Sequence, residues 1–133
     1  QASLTGHLVL ATLHTNDAPS AVTRLLDMGV EPFLLSSSLL GVLAQRLVRK
    51  LCPSCHGSGC EACHQTGHQG RTGIFELMLT NEALRQLIHQ SAAEADIRAG
   101  AMADGMVPMR QDGERLVQQR LISEAELIRA TRD

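Results

Sequence analysis

The sequence predicts an α/β fold in its first part and an all-helical fold in its last third. A nearly continuous apolar run, LVLATL, occupies residues 8–13 and precedes a stretch with helical periodicity. Residues 42–51 alternate between two faces, which is typical of a β-strand. Beyond residue 80, apolar side chains recur three and four positions apart, the spacing of amphipathic helices.

The apolar run at residues 8–13 predicts a strand covered on both faces, as in a parallel α/β sheet. Asn16 or Asp17 can cap the helix that follows, with Pro19 in its first turn and Gly29 as the left-handed residue that ends it. If the strand has no sheet neighbours, we expect the chain to associate with itself or with a second chain that covers it.

The remaining elements follow from periodicity and capping residues. We predict a short helix over residues 31–40, a strand over 42–51, a loop over 52–70 and a returning strand over 71–79. Helices follow from a cap at Thr80 or Asn81, and Ser123 with Glu126 forms the S-x-x-E signature of a capping box. The expected regions are 1–51, 52–70, 71–80 and a helical part at 81–133.

Composition excludes several classes of function. The 133 residues suit one compact domain or two small subdomains, and only 2% are aromatic. With two phenylalanines and a net charge of -2, the chain lacks the stacking surface and basic character of nucleic-acid binding proteins. We therefore expect no nucleic-acid partner, and we interpret the basic residues Arg46, Arg49 and Lys50 as a solvated strand face.

Hydropathy and cysteine usage predict the compartment. No signal sequence opens the chain, and its uncharged stretch at residues 32–45 is shorter than the ~20 residues that span a bilayer. We expect a cytoplasmic protein with no membrane span. In that compartment, four cysteines are better explained as metal ligands than as disulfides.

The cysteines carry the most specific chemical signal in the chain. The stretch CPSCHGSGCEAC places Cys52, Cys55, Cys60 and Cys63 as two C-x2-C pairs separated by four residues. Two such pairs can close a four-thiolate zinc site, which has no open position for water and is therefore structural. An iron–sulfur cluster, a redox-active dithiol and a metal-free loop are the alternatives. Four cysteines complete the coordination, so we interpret the neighbouring His56, His64 and His68 as exposed loop residues.

Three motifs occur in the order found in one protein family: a histidine box, a C-x2-C pair set after QRLVRKLC, and R-T-G before an apolar strand. They lie in the stretches TGHLVLATLHTNDAPSAVTRLLDMGVEPFLLSSSLLGVLAQRLVRKLCPSC and GRTGIFEL, and the helical tail matches less distinctively. Together they closely resemble the secretion ATPases that power type II secretion and type IV pilus assembly. The resemblance implies a RecA-like P-loop NTPase subdomain, a tetracysteine zinc knuckle and C-terminal helical subdomains. It also implies a cytoplasmic homo-hexamer that hydrolyses ATP and acts on an inner-membrane platform.

The resemblance assigns roles to individual residues. His7 and His14 fall on the two histidines of the family's histidine box, near the terminal phosphate of the nucleotide. An imidazole at the carboxyl end of a strand can donate a charge-assisted hydrogen bond to a phosphate, which favours His14. Arg71 is expected as a nucleotide-proximal cation or as the anchor of the returning strand. Arg24 is expected as a helix-surface residue or an intersubunit contact.

The sequence departs from the family in two respects. No G-x-x-x-x-G-K-[ST] phosphate loop occurs in the 133 residues, so we expect this chain alone not to hydrolyse ATP, and expect ATP and Mg2+ to bind only in the intact enzyme. The spacer between the cysteine pairs is also short. An alternative interpretation, from CPSCHGSG, is a zinc-dependent binding module like the DnaJ zinc region, without ATPase activity.

Overall fold

The computed structural model describes residues 8–13 and 15–132. In these residues a two-stranded sheet is combined with six α-helices and one short 3-10 helix. The elements are α1 (Ala18–Asp27), α2 (Pro32–Ser38), β1 (Gly41–Leu51), the 3-10 helix (Glu61–Cys63), β2 (His68–Leu79), α3 (Glu82–His89), α4 (Glu94–Ala103), α5 (Met109–Gln118) and α6 (Glu124–Thr131). No helix in the described part of the chain is long and apolar enough to cross a membrane.

The predicted strand at residues 8–13 is wrong. These residues have no regular secondary structure, and Leu8 and Leu10 are 76% and 89% exposed. A strand exists only where a neighbouring strand takes up its backbone hydrogen bonds, and no other described segment pairs with this one. Its apolar composition predicted burial inside a sheet, but these residues are exposed and the described residues form no sheet around them.

The predicted capping of α1 is confirmed. The Asp17 carboxylate accepts a hydrogen bond from the Ser20 N–H at 3.0 Å, and the Ser20 hydroxyl oxygen accepts one from the Asp17 N–H at 3.2 Å. Pro19 lies in the first turn, and Gly29 has a φ of +95°, the left-handed conformation that ends helices. Local chemistry therefore sets both ends of this helix.

The chain forms two compact units, and the boundary between them falls within both strands. The first unit contains the described residues of Gln1–Ala44 together with Leu77–Met106. In it, α2 packs on α3, and α4 packs on both α1 and α3. Its core is aliphatic, as the near absence of aromatic residues requires, and is formed by side chains such as Val22, Leu35, Leu84, Ile88 and Ile97.

The second unit contains Gln45–Glu76 and the described residues of Val107–Asp133. Here α5 packs on α6, and Gly113 makes that approach possible because a Cβ at this position would overlap the side chain of Leu127. The buried side chains of this unit include Val48, Ile74, Leu116 and Ile122.

The two strands are antiparallel. The Thr80 N–H, just after β2, donates to the Leu40 carbonyl, just before β1, at 3.0 Å. At the other end of the hairpin, a Cβ on Gly70 would lie 3.2 Å from the Lys50 side chain. The buried residues of both strands are at even positions, namely Ala44, Val48, Ile74, Glu76 and Met78. The large apolar side chains at odd positions are exposed, namely Leu43, Leu47, Phe75, Leu77 and Leu79.

A buried carboxylate joins α6 to β1 in the second unit. Glu126 is 2% exposed and accepts hydrogen bonds from the Arg49 backbone N–H at 2.8 Å and from the Arg49 and Arg129 guanidinium groups at 2.9 and 2.7 Å. Only half of the predicted capping box forms, since Ser123 accepts from the Glu126 N–H while the Glu126 carboxylate turns to the arginines. Arg129 and Arg49, against the effect of burial, hold the pKa of Glu126 well below its usual range.

We expect Glu126→Gln to lower the free energy of unfolding by about 2 kcal/mol at pH 7, because two arginines and a strand amide lose a charged acceptor. The depressed pKa of Glu126 means that its stabilisation is present above the ordinary glutamate pKa and is lost as the pH falls further. The difference between wild type and variant in urea unfolding should therefore shrink below about pH 4.

Glu124→Gln is the matched control, since Glu124 is an exposed carboxylate in the same helical turn. It should change the unfolding free energy by less than about 0.5 kcal/mol. Equal losses for the two variants, or a Glu126→Gln loss that does not depend on pH, would contradict the assigned role of Glu126.

Candidate functional site

The four cysteines come together at the end of the hairpin. Their sulfur atoms all lie within 4.8 Å of one another, and three of the pairs are 3.8 Å apart. A tetrahedral zinc site with zinc–sulfur distances of ~2.3 Å has sulfur–sulfur edges of about 3.8 Å. The sequence prediction of a four-cysteine cluster is confirmed, and the arrangement fits a tetrahedral metal ion. Zinc as that metal stays a prediction.

Backbone amides donate hydrogen bonds to the cysteine sulfurs and so favour their thiolate form. The Gly59 N–H donates to the Cys55 sulfur at 3.2 Å, and the Gly67 N–H donates to the Cys63 sulfur at the same distance. Although burial raises it, hydrogen bonds from the Cys60 and Gly67 amides lower the pKa of Cys63 to about 6. Such donors stabilise a thiolate, the form in which cysteine binds metals.

Not all four thiols can lose their protons without a counter-ion. The Cys63 amide lowers the pKa of Cys60, but burial and the adjacent sulfurs outweigh it and raise that pKa to about 11. Four thiolates this close repel one another unless a cation neutralises them. The donor set is soft, closed and free of carboxylates, which suits a zinc ion that holds the loop together.

Two histidines adopt a conformation that usually belongs to glycine. His56 and His64 each follow the second cysteine of a C-x2-C pair and have φ values of 52° and 57°. Both are exposed, as expected from the sequence, whereas the expectation for His68 is wrong, since it is half-buried at the start of β2. The described part of the chain has no other cluster of potential metal ligands.

The nucleotide-side residues expected from the sequence are only partly described. His7 and His14 lie outside the described residues. Arg71 is exposed on β2 in the second unit, and its role stays a prediction. Arg24 is exposed on α1 in the first unit.

A polar groove of about 240 Å³ lies beside the start of α1. Its lining contains hydroxyl groups, carboxylates and one arginine, from Thr15, Asn16, Ser20, Thr23, Arg24, Asp27 and Glu94. Thr15 and Asn16 immediately follow His14 in the sequence.

Sequence reasoning missed the ion pair between Asp17 and Arg98. Arg98 on α4 donates to Asp17 at 2.6 Å and to Glu94 at 3.0 Å. Burial raises the pKa of Asp17, but the hydrogen bonds with Arg98 and Ser20 together outweigh it and lower that pKa. Asp17 had a sufficient local role as a helix cap, and its partner lies 81 residues away, so no local pattern pointed to the pair.

Comparison with known proteins adds decisive information. Residues 1–129 match the family model described as "Type II/IV secretion system protein". The chain belongs to this family. It is 60% identical to the type II secretion system protein HxcR of Pseudomonas aeruginosa and 47% identical to the type II secretion system ATPase E of Vibrio cholerae. Both alignments cover 100% of this chain but only 30% and 31% of the relatives.

The chain is also similar to pilus motors. The type IV pilus assembly ATPase TfpB of Acinetobacter baylyi is 44% identical over 97% of this chain and 27% of its own length. The crystal structure of the pilus retraction motor PilT with bound ADP superposes with a TM-score of 0.72, at 29% identity, over 97% of this chain and 34% of PilT. The recognition of this family from sequence motifs is confirmed. The DnaJ-like alternative explains only the cysteine loop, whereas the family match spans residues 1–129.

We expect about one zinc ion per chain in protein purified without chelators, because four thiolates complete one tetrahedral site. Cys63→Ser should lose most of this metal, measured by inductively coupled plasma mass spectrometry. His64→Ala is the control, since His64 is adjacent but not needed as a ligand, and it should retain zinc. A wild-type zinc content below about half an equivalent would refute the site.

We expect His64→Gly to stabilise the loop by about 0.5 kcal/mol. Glycine adopts a positive φ without the steric cost of a Cβ, and the greater entropy of glycine in the unfolded chain offsets only part of this gain. Thermal unfolding of the zinc-loaded protein would measure this change. The matched control is His68→Gly, which places glycine in a strand and should destabilise. Destabilisation by both substitutions would show that the His64 side chain makes a necessary contact.

Proposed function

We propose that this chain is the C-terminal portion of a hexameric, cytoplasmic ATPase that powers type II protein secretion or type IV pilus assembly. The observation that carries the proposal is the family match over residues 1–129, together with relatives named as secretion and pilus ATPases. In the intact protein, ATP hydrolysis would drive assembly of pilins or pseudopilins through an inner-membrane platform. Association with that membrane would occur through partner proteins.

The chain would contribute one part of a RecA-like nucleotide site. Upstream residues would supply the phosphate loop and hold ATP and Mg2+, since the 133 residues contain no such loop. His14, assisted by His7, would donate a hydrogen bond to the terminal phosphate and respond to its loss after hydrolysis. Arg71 is proposed as a second cation near the nucleotide. The similarity to an ADP-bound pilus motor supports this assignment of the fold.

The cysteine loop has a separate role in this proposal. Zinc held by Cys52, Cys55, Cys60 and Cys63 would supply cross-links that a loop rich in glycine and polar residues cannot supply by packing. Because all four positions are protein ligands, the ion would take no part in hydrolysis. The loop would therefore act as a rigid end to the β1–β2 hairpin.

A substitution at His14 tests the nucleotide role. In the intact protein, His14→Ala should lower kcat for ATP hydrolysis by roughly tenfold or more, since it removes a donor to the transferring phosphoryl group. The measurement is steady-state phosphate release. His89→Ala is the control, because His89 is an exposed histidine at the end of α3.

Two outcomes would count against the proposal. Turnover within about twofold of wild type in His14→Ala would remove His14 from the site. Phosphate release by the isolated 133-residue chain would show that the phosphate loop is not required, and would contradict the division of the site between this chain and upstream residues.

A further inference from the structure

Four polar side chains form a connected network between α1 and α4. Arg98 donates from its two terminal nitrogens to different acids, to Asp17 at 2.6 Å and to Glu94 at 3.0 Å. The second oxygen of Glu94 lies 3.2 Å from the Thr23 hydroxyl. The network therefore joins the cap of α1, its second turn and the first two turns of α4, all within the first unit.

Asp17 can serve both partners at once because it uses a different oxygen for each. Oδ1 accepts the N-cap hydrogen bond from the Ser20 N–H, and Oδ2 accepts the ion pair from Arg98. The Asp17 and Arg98 side chains are 21% and 38% exposed, so solvent screens this pair less than a fully exposed one. The guanidinium thus restrains the same carboxylate that defines where α1 begins.

The Asp17 cap lies close in sequence to His14, which connects the network to the proposed nucleotide site. Asp17 lies three residues after His14, and Thr15 and Asn16 between them line the groove beside Glu94. A restraint on the first residue of the helix restrains the direction in which the preceding backbone leaves it. In α/β sites, the segment that precedes a helix is the one that carries ligand-binding side chains.

We propose that Arg98 is a positioning residue for ATP hydrolysis, acting through Asp17 on the segment that carries His14. This inference rests on the proposed function. In this role Arg98 acts without contacting the nucleotide: it holds the Asp17 cap at the start of α1, three residues after His14 in the chain. Loss of such a restraint affects the chemical step more than nucleotide binding, which the upstream phosphate loop would provide.

The test compares kinetics and hydrogen exchange in the intact protein. Arg98→Gln should lower kcat roughly tenfold while KM for ATP stays within about twofold, and should speed amide exchange in a peptide that covers residues 15–23. Arg98→Lys keeps the charge but loses the fork that reaches two acids, so its kcat should be intermediate.

A double-mutant cycle separates positioning from general destabilisation. Asp17→Asn keeps a good helix cap but removes the charge that Arg98 holds, so it should reproduce the kcat loss. If both residues act in one contact, the double variant should lose no more than either single variant. Arg115→Gln is the matched control, since it breaks a helical ion pair with Asp112 in the second unit and should leave exchange at residues 15–23 unchanged.

Three results would overturn the proposal. They are a kcat for Arg98→Gln within about twofold of wild type, unchanged exchange at residues 15–23, or losses that simply add in the double variant. A wild-type protein without ATP turnover would instead overturn the proposed function, and the positioning role with it. That result differs from an active wild type that tolerates Arg98→Gln.

Discussion

Within residues 8–13 and 15–132, the sheet has two strands and neither outer edge has a strand partner, and the second unit is organised around this constraint. On the β1 edge, the Arg49 N–H donates to Glu126 and the Leu51 N–H donates to the Leu121 carbonyl, both at 2.8 Å. On the β2 edge, the Phe75 N–H donates to Asp112 at 2.9 Å. The helices and the loop between them therefore complete the sheet as well as covering it.

The loop at the end of the hairpin has almost no apolar core, and backbone hydrogen bonds and the cysteine cluster hold it instead. Its neck closes where the Cys52 N–H donates to the Gly67 carbonyl at 2.9 Å. Gly67 has no substitute, because its φ is +79° and a Cβ would lie 2.6 Å from the Gly57 carbonyl oxygen. The same glycine donates its N–H to the Cys63 sulfur, so one residue connects the neck to the cysteine cluster.

Sequence reasoning succeeded where the deciding chemistry is local and failed where partners are distant. The Asp17 cap and the cysteine cluster depend on residues a few positions apart, and both were predicted. Glu126 was predicted as half of a capping box, yet its carboxylate pairs with Arg49, 77 residues away. Periodicity carries no information about such pairs, because it records which face a residue occupies and not which element lies opposite.

The sequence by itself determined the capped starts of α1, α3 and α6, the strand alternation, the four-cysteine cluster and, through its motifs, the family. Each of these is set by side chains that lie close together in the chain or by their order along it. Only the tertiary structure decided that residues 8–13 are exposed, that Glu126 and Asp112 complete the sheet edges, and that Arg98 holds the cap of α1. These features depend on which surfaces come into contact after folding. A charged side chain is buried only where the contacting surface provides an opposite charge or a hydrogen-bond partner.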